Sequence, residues 1–586
     1  MANALEAASL VMIPSGYEDG TLGSLKPTDG SGDFTFSRGS NLSATRINEQ
    51  GYIEKGYENL LLQSNTFSDA AWSQSGTTIT SGQSGYDGSS DAWEIGRDGG
   101  SGLAFINQVI SATALQTFSI YAKANTEDWI FLQVAATGGG AGYFDLANGT
   151  SGSTSGIDSS IDSIGDGWYR IQIVFNSTTS GSIRIFVASA NGNLTTTGSI
   201  YIQDAMLNQG MVAYPYVETT TAPVAGGILE DMPRLDYSNG SCPSLLLEPS
   251  RTNLITQSEY PEGNQFFNNL NADYNATTSP EGIQNATRIT ATGTGTHQYG
   301  NYPVVSSGVG VVGSVFVKAD ATEYVQLYFG GGPASGSPYA NFFIGNNPSV
   351  EQERDLTASI EDYGNGWLRL IIKQTTDASG GITFAVMPIP NGTTNRSASY
   401  TANGESIFTY GLQVEQDATY PTSYIPTYGV SQTRLSDVCG GAGDAETFND
   451  NEGVLYAEIS VLANDGTFRN ISVSNGTFSQ AIRIYYRNND DEITIFLNSD
   501  SGGSTTISIP SATDYIKLVV KYDTDTIKIF INGVLEDTLS SLIMPTGLQQ
   551  LDFSRAGSLP FYGNTKQLLY FPTALSDSEC IALTTI

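Results

Sequence analysis

The sequence repeats itself, and the repeat restricts the fold more than any other property of the chain. Glu54-x4-Asn59-Leu60-Leu61 returns as Glu248-x4-Asn253-Leu254-Ile255, an offset of 194. Phe118-Ser-Ile-Tyr-Ala-Lys123-Ala124 returns as Gly313-Ser-Val-Phe-Val-Lys318-Ala319 at 195, the offset that also relates Trp129 to Tyr324. Tyr143-Phe144 meets Phe342-Phe343 at 199, and Gly165-Asp-Gly-Trp168-Tyr-Arg170 meets Gly364-Asn-Gly-Trp367-Leu-Arg369 at 199. Gln209 meets Gln416 at 207. Order is kept while the offset only grows, as loop insertions in a duplicated module produce.

Each copy alternates as antiparallel strands do. In Trp168-Tyr-Arg-Ile-Gln-Ile-Val-Phe175, Trp168, Arg170 and Gln172 share one face and Tyr169, Ile171 and Ile173 the other. The second copy's Trp367-Leu-Arg-Leu-Ile-Ile-Lys373 is apolar on both faces for part of its length, as an inner strand is. The Gly-x-Gly before each Trp predicts a tight turn into that strand. With 65 Gly and 21 Pro, and only 14% of residues charged, the periodic runs of helix formers are scarce. The fold class is therefore all-β, with two tandem antiparallel sandwiches over 57–222 and 245–428.

Residues 1–56 read as an attachment or inter-subunit segment, and 223–244 and 429–439 as connectors. Thr45-Arg46-Ile47, Pro233-Arg234-Leu235 and Thr433-Arg434-Leu435 place a short strand with an arginine before each module. Such a strand packs neighbours more rigidly than a Gly/Ser linker. A third β domain fills 440–586. There Asn532-Gly533 between Thr526–Ile531 and Val534–Thr538 marks a hairpin, since both residues accept φ > 0. Ser576-Asp-Ser-Glu579 is a capping box opening one short helix.

Charge excludes several partners. The chain carries 25 Lys+Arg against 59 Asp+Glu, a net charge of −34, which repels phosphate backbones and anionic membranes. No run of 18 apolar residues exists, so no membrane insertion is expected. Met1-Ala-Asn-Ala-Leu-Glu lacks a basic start and an apolar run, so no secretion signal is expected and cytoplasmic synthesis is. Cys242, Cys439 and Cys580 form neither a disulfide framework nor a Cys-x-x-Cys zinc pair.

Several phrases resemble tailed-phage virion fibre and adhesin-type proteins. Those in the repeats are Glu58-Asn-Leu-Leu-Leu-Gln-Ser-Asn65, Tyr121-Ala-Lys-Ala124, Phe144-Asp-Leu-Ala-Asn-Gly-Thr150, Gly165-Asp-Gly-Trp-Tyr-Arg170, Tyr201-Ile-Gln-Asp-Ala205 and Thr422-Ser-Tyr-Ile-Pro-Thr427. They resemble the jelly-roll carbohydrate-binding modules found in series in such proteins. Val520-Lys-Tyr-Asp through Ile531-Asn-Gly-Val534, Phe561-Tyr-Gly and Ala574-Leu-Ser resemble their concanavalin/laminin-G-like domains. Ser9-Leu-Val-Met-Ile-Pro-Ser15 through Asp33-Phe-Thr-Phe-Ser-Arg-Gly39 resembles the opening of such phage proteins. The resemblance implies two jelly rolls and a concanavalin-like sandwich in a virion structural or adhesion protein. Its implied partners are other virion proteins and host-surface polysaccharide.

Trp168 and Trp367 start a repeated strand and read as core rather than sugar contacts. Glycan-binding candidates are Trp129 with Tyr324 and Tyr143 with Phe342, aromatic in both copies without being identical. Trp72, Tyr86 and Trp93 have no counterpart and mark where ligands of the two copies would differ. No cofactor is expected. A structural calcium, if present, would sit at Asp29/Asp33, Asp490/Asp491/Glu492 or Asp523/Asp525.

Catalysis has little to build on. The single histidine, His297, reads as an exposed loop or strand residue rather than a base, and phosphate-cradling glycine motifs are absent. Among 59 acids a glycosidase pair can always be drawn, so a depolymerase stays open as the alternative to a non-enzymatic binder. A purely architectural fibre or capsid decoration is the second alternative. Weak sugar modules gain avidity by multiplication, so a homo-oligomer, most simply a trimer, is expected.

Overall fold

The repeated asparagines show how each copy closes. The computed structural model describes residues 2–39, 42–98, 103–110, 114–194, 197–486, 491–500 and 502–585. Asn59 is fully buried; its Nδ2 donates to the carbonyls of Ala205 (3.2 Å) and Val217 (2.9 Å). Its Oδ1 accepts from the backbone N–H groups of Leu61 (3.2 Å) and Leu207 (3.1 Å). Asn253 makes the same four bonds to Leu412, Ile425, Ile255 and Val414 at 2.9–3.1 Å. One amide thus uses both donors and both lone pairs to staple the first segment of a copy to its last strand.

The two copies match strand for strand. In the first, one six-stranded antiparallel sheet runs Asp158–Gly165, Trp168–Asn176, Leu115–Ala124, Ser199–Gln209, Ala92–Arg97, Thr77–Gln83. Its counterpart in the second runs Thr357–Asp362, Leu368–Thr375, Gly310–Ala319, Ser406–Gln416, Ala286–Ala291, Leu270–Thr277. The opposing sheet runs Thr150–Ser155, Ala141–Asp145, Trp129–Val134, Gly181–Ala188, Phe105–Ile110, Ser73–Ser75. Its counterpart runs Ser349–Arg354, Tyr339–Phe343, Tyr324–Gly330, Thr383–Pro388, Gln298–Asn301, Phe266–Asn268. Even a register shift recurs, at Ser119/Tyr121 and at Ser314/Phe316.

Alternation buries one face of each sheet. Phe118, Ile120, Ile171 and Ile173 meet Ile130, Leu132, Phe144 and Ile185 in the first core. Val315, Val317, Leu370 and Ile372 meet Val325, Leu327, Phe342 and Val386 in the second. Trp168 and Trp367 are 2% and 1% exposed, each fed by a turn with three successive positive φ angles. They are Gly165 (105°), Asp166 (49°) and Gly167 (77°), and Gly364 (74°), Asn365 (53°) and Gly366 (80°). Together residues 56–227 and 252–432 form one compact unit. Leu115, Val174 and Met211 pack against Tyr260, Tyr274 and Tyr428 at the seam between copies.

The other unit differs from the expected division. Residues 1–55, 228–251 and 433–586 form one compact unit, so the N-terminal segment, most of the first connector and the start of the expected second module fold with the C-terminal domain. Leu10–Met12 and Ser244–Leu247 are wholly buried runs that both pair with Gly563–Phe571, covering one of its sides. The sheet continues through Glu452–Val461, Ile516–Asp523, Thr526–Ile531 and Val534–Leu539. Its partner sheet holds Gly503–Ser508, Glu492–Asn498, Ala481–Tyr486, Arg469–Ser474 and Gln550–Asp552. The Asn532-Gly533 hairpin is present, with φ 49° and 86°. The capped helix spans Asp577–Thr584, with both bonds of its capping box.

Within this unit lies a buried ionic cluster. Arg38 Nη1 lies 3.2 Å from Asp437 Oδ1, and Arg234 reaches Asp437 with Nη2 and Glu248 Oε2 with Nη1 at 2.5 Å. Arg434 Nη1 meets the same Glu248 oxygen at 2.8 Å. All five side chains are at most 4% exposed. Burial pulls the Arg234 guanidinium down, yet the two carboxylates more than offset it and leave it above its ordinary value. At Arg38 burial wins and the value falls. Arg46, the first arginine of the repeated connector pattern, stands outside the cluster on Glu54 (2.8 Å) and Tyr17 (2.7 Å); Arg38 takes its place.

Removing one buried partner leaves an uncompensated charge, which costs about 3–5 kcal/mol. Asp437→Asn is therefore expected to lower the stability of this unit by about that amount. All five tryptophans (Trp72, Trp93, Trp129, Trp168, Trp367) lie in the other unit, so their fluorescence is an internal control. In urea, the circular-dichroism transition should move to lower denaturant while the fluorescence transition stays.

Candidate functional site

On the sheet containing Trp129–Val134, the outward residues follow from the two-residue period. Ile130, Leu132 and Val134 enter the core, so Trp129, Phe131 and Gln133 face out. Register then places Tyr143 and Phe186 on either side of Phe131, and Phe105 beyond Phe186. Four rings thus lie side by side across four adjacent strands. Phe131 and Tyr143 stack at 4.2 Å and 27°; Phe131 and Phe186 lie 5.3 Å apart, Phe105 and Phe186 5.0 Å. Three strand spacings make the row about 14 Å long.

Phe131, Tyr143 and Phe105 are half-buried, offering ring area to solvent, while Phe186 is covered by its neighbours. The Tyr143 hydroxyl has no protein partner among the described residues. One register step along runs a polar row of Gln133, Arg184 and Asn107. Half-buried Trp129 stands at the other flank, beside the edge strand, where Ser153 N–H donates to Asn191 Oδ1 at 2.9 Å. Apolar ring faces beside amide and guanidinium donors are what a hydroxylated ring compound needs: stacking for its C–H face, hydrogen bonds for its edge.

The second copy has the same frame and a closed face. At the positions of Phe131, Tyr143 and Phe186 stand Gln326, Asn341 and Met387, all fully buried. Gln326 Nε2 donates to Asn341 Oδ1 (2.7 Å) and to the carbonyls of Thr394 and Asn395 (both 3.2 Å). Asn341 Nδ2 donates to Gly392 and Thr394 carbonyls (both 2.8 Å), and Ser397 N–H donates to Gln326 Oε1 (2.7 Å). These bonds fasten the 391–397 loop over the face. Arg396 is spent on the Phe329 carbonyl (2.6 Å) and the Tyr328 ring.

The structure brings together only part of the expected set. Tyr143 belongs to the open row and Trp129 stands at its flank. Tyr324 occupies Trp129's position but packs against Phe343 and the closed loop. Phe342 is not a surface residue; it is fully buried in the second core. Its counterpart is Phe144: Phe144 pairs with Ile130 and Phe342 with the equivalent Val325, so the offset on this strand is 198 rather than 199, and a one-residue slip reverses the face. Trp72 is 2% exposed with Nε1 donating to the Gln63 carbonyl, and half-buried Trp93 donates to Asn65. Both pack with Phe67. Phe131, Phe186, Phe105 and Arg184 were missed, although strict alternation in Trp129-Ile-Phe-Leu-Gln-Val134 and Ser182-Ile-Arg-Ile-Phe-Val187 carries the first two and the arginine.

Tyr86 lies in the turn between Thr77–Gln83 and Ala92–Arg97, stacked on Tyr121 of the opposite sheet at 3.9 Å with its hydroxyl donating to Asp204 Oδ2 at 2.8 Å. Burial raises the Asp204 carboxyl to about 6; Tyr86 opposes this, and Asp91 and Asp87 add to it. His297 is fully buried rather than exposed, its ring nitrogens 2.9 and 3.0 Å from the Asn269 and Tyr400 carbonyls. Carboxylates of the calcium candidates accept hydrogen bonds from the chain itself. Asp33 accepts from Ser24 N–H (2.6 Å), Asp29 from Ser31 and Asp491 from Ala512. Asp523 and Asp525 bond Thr524 and Thr526. Asp490 lies outside the described residues. Among the described residues no group of three or more His, Cys, Asp or Glu is placed to hold a metal, and no helix is long and apolar enough to cross a membrane.

The fold and the open row define a β-sandwich protein with a solvent-facing aromatic sheet face. No protein-family model matches the chain. No curated protein matches it either. Among solved structures it is similar to the CBM40 module of a Ruminococcus gnavus IT-sialidase bound to α2,3-sialyllactose: 21% identity, 24% of this chain, 84% of that one, TM-score 0.21. It is also similar to the tandem CBM22-1-CBM22-2 domain of Paenibacillus barcinonensis Xyn10C: 11% identity, 65% and 99% coverage, TM-score 0.20. A third is mouse laminin α1 LG4-5: 8% identity, 56% and 92% coverage, TM-score 0.17.

The Asp204 carboxyl yields a pH prediction. Its folded value, about 6, lies above the ordinary 3.8, so the folded chain holds this proton more tightly than the unfolded chain does. The contribution to stability is complete below pH 3.8 and is lost as pH rises to about 6. Asp204→Asn, tolerated at its φ of 54°, should match the parent near pH 3.8 and exceed it above pH 6 in denaturation followed by tryptophan fluorescence. A difference that stays constant over this range would exclude Asp204 as its source.

Proposed function

We propose that this protein binds glycans through the open aromatic row of its first copy and serves as an adhesion component of a virion appendage. The observation that carries the reading is the four-ring row with its polar neighbour row, present on one copy and closed on the other. The virion assignment is supported by the resemblance of Glu58–Asn65, Gly165–Arg170 and the C-terminal phrases to tailed-phage fibre proteins. Host-surface polysaccharide is the ligand and other virion proteins are the neighbours in this reading. A shallow ring platform binds and releases without bond cleavage, with individual affinities on the order of 1 mM to 1 μM. A homotrimer would carry three such sites and bind far more tightly through multivalency.

Calorimetry with a glycan selected on an array should give one site per chain. Phe131→Ala and Tyr143→Ala should each weaken binding about tenfold or more, while Tyr324→Ala should leave it unchanged. Two sites per chain, or loss with Tyr324→Ala alone, would overturn the assignment. Release of reducing ends from host polysaccharide would establish the depolymerase alternative instead, and light scattering decides the subunit count.

A further inference from the structure

The polar row contains a cation held without an anion. Arg184 sits in the middle of Gly181–Ala188, opposite Gln133 on one side and Asn107 on the other, two residues from Phe186 on the same face. Its guanidinium lies 5.3 Å from the centre of the Phe105 ring, Nε donates to Ser182 Oγ (3.2 Å) and Nη1 to Gln133 Oε1 (3.3 Å). Nη2 has no partner, and no carboxylate lies within ion-pair distance, among the described residues. The chain has 59 acidic residues for 25 basic ones, so the lack of an acid here is not a shortage of acids. The second copy has Ala385 at this position, Tyr328 at that of Gln133 and Gly300 at that of Asn107.

We propose that Arg184 makes the open row selective for a saccharide bearing a carboxylate, the rings stacking on a sugar while the free guanidinium edge pairs with the acid. This deepens the glycan-binding reading and rests on it. A half-buried arginine stacked on a ring and fixed by two side chains has already lost its rotamer freedom, so a carboxylate meets a preorganised fork. The charge of −34 opposes a densely anionic polymer at long range but is screened beyond about 8 Å at physiological salt. The ligand class is accordingly an oligosaccharide with isolated carboxylates among neutral rings. Uronate and ulosonate (sialate-type) sugars share this chemistry, and the test separates them.

The full chain is titrated with uronate-containing and with sialylated oligosaccharides, each beside its carboxyl-reduced form. The expected result is a tenfold or greater preference for the acid form within one of the two pairs, weakening as salt is raised. Arg184→Met should collapse that preference toward unity, and Arg184→Lys should keep part of it. Equal binding of acid and reduced forms by the parent protein, or a preference that survives Arg184→Met, overturns the selectivity while leaving glycan binding in place. If no saccharide binds and Phe131→Ala changes nothing, the glycan reading itself falls.

Discussion

Five buried charges decide how the chain is assembled. Arg38 comes from the first stretch of the sequence, Arg234 and Glu248 from the second, and Arg434 and Asp437 from the third. No stretch can bury its own ions alone: three guanidiniums and two carboxylates, all nearly solvent-free, become tolerable only when the three stretches meet. In sequence, each of these stretches is separated from the next by one sandwich copy. A repeat protein built as beads on a string would need no such clasp. Here the segments between the beads are themselves a structural unit, and the copies are excursions from it.

The copies diverge in the way duplicated frames do. Their staples, register shifts and tryptophan turns are retained because each satisfies buried backbone or core positions. The outward face of one sheet is under no such constraint, so one copy keeps a row of rings there and the other fills the same positions with amides. An amide pair on a sheet face needs partners for its donors, and the 391–397 loop supplies them through backbone carbonyls. Closure in the second copy is therefore a hydrogen-bonding requirement satisfied, not a larger loop falling over a smaller one.

What could be read from the sequence was local or periodic. The Trp168 and Trp367 strands, the Asn532-Gly533 hairpin and the Ser576 cap each depend on a few adjacent residues, and the jelly-roll pair on ordered repetition. Two things were out of reach. Arg46 and Arg38 are both arginines near β-branched or aromatic neighbours, and only tertiary pairing tells which is buried. The pairing of Tyr143 with Phe342 failed because offsets are counted in residues while faces are set by parity. A change of offset from 199 to 198 inside one hairpin moved a ring from surface to core. The open row was legible in principle, since alternation alone turns Phe131, Arg184 and Phe186 outward, but their adjacency needed the strand order.

The pairing of Leu10–Met12 with Leu568–Tyr570 has a temporal consequence. During translation Leu10–Met12 leaves the ribosome long before Leu568–Tyr570 is made. At about 5–20 residues per second the wait is roughly half a minute to two minutes. Both sandwich copies are contiguous and can finish folding within that interval. The nascent chain thus carries two completed sandwiches while Leu10–Met12 waits, its apolar strand edge exposed until Leu568–Tyr570 arrives to cover it.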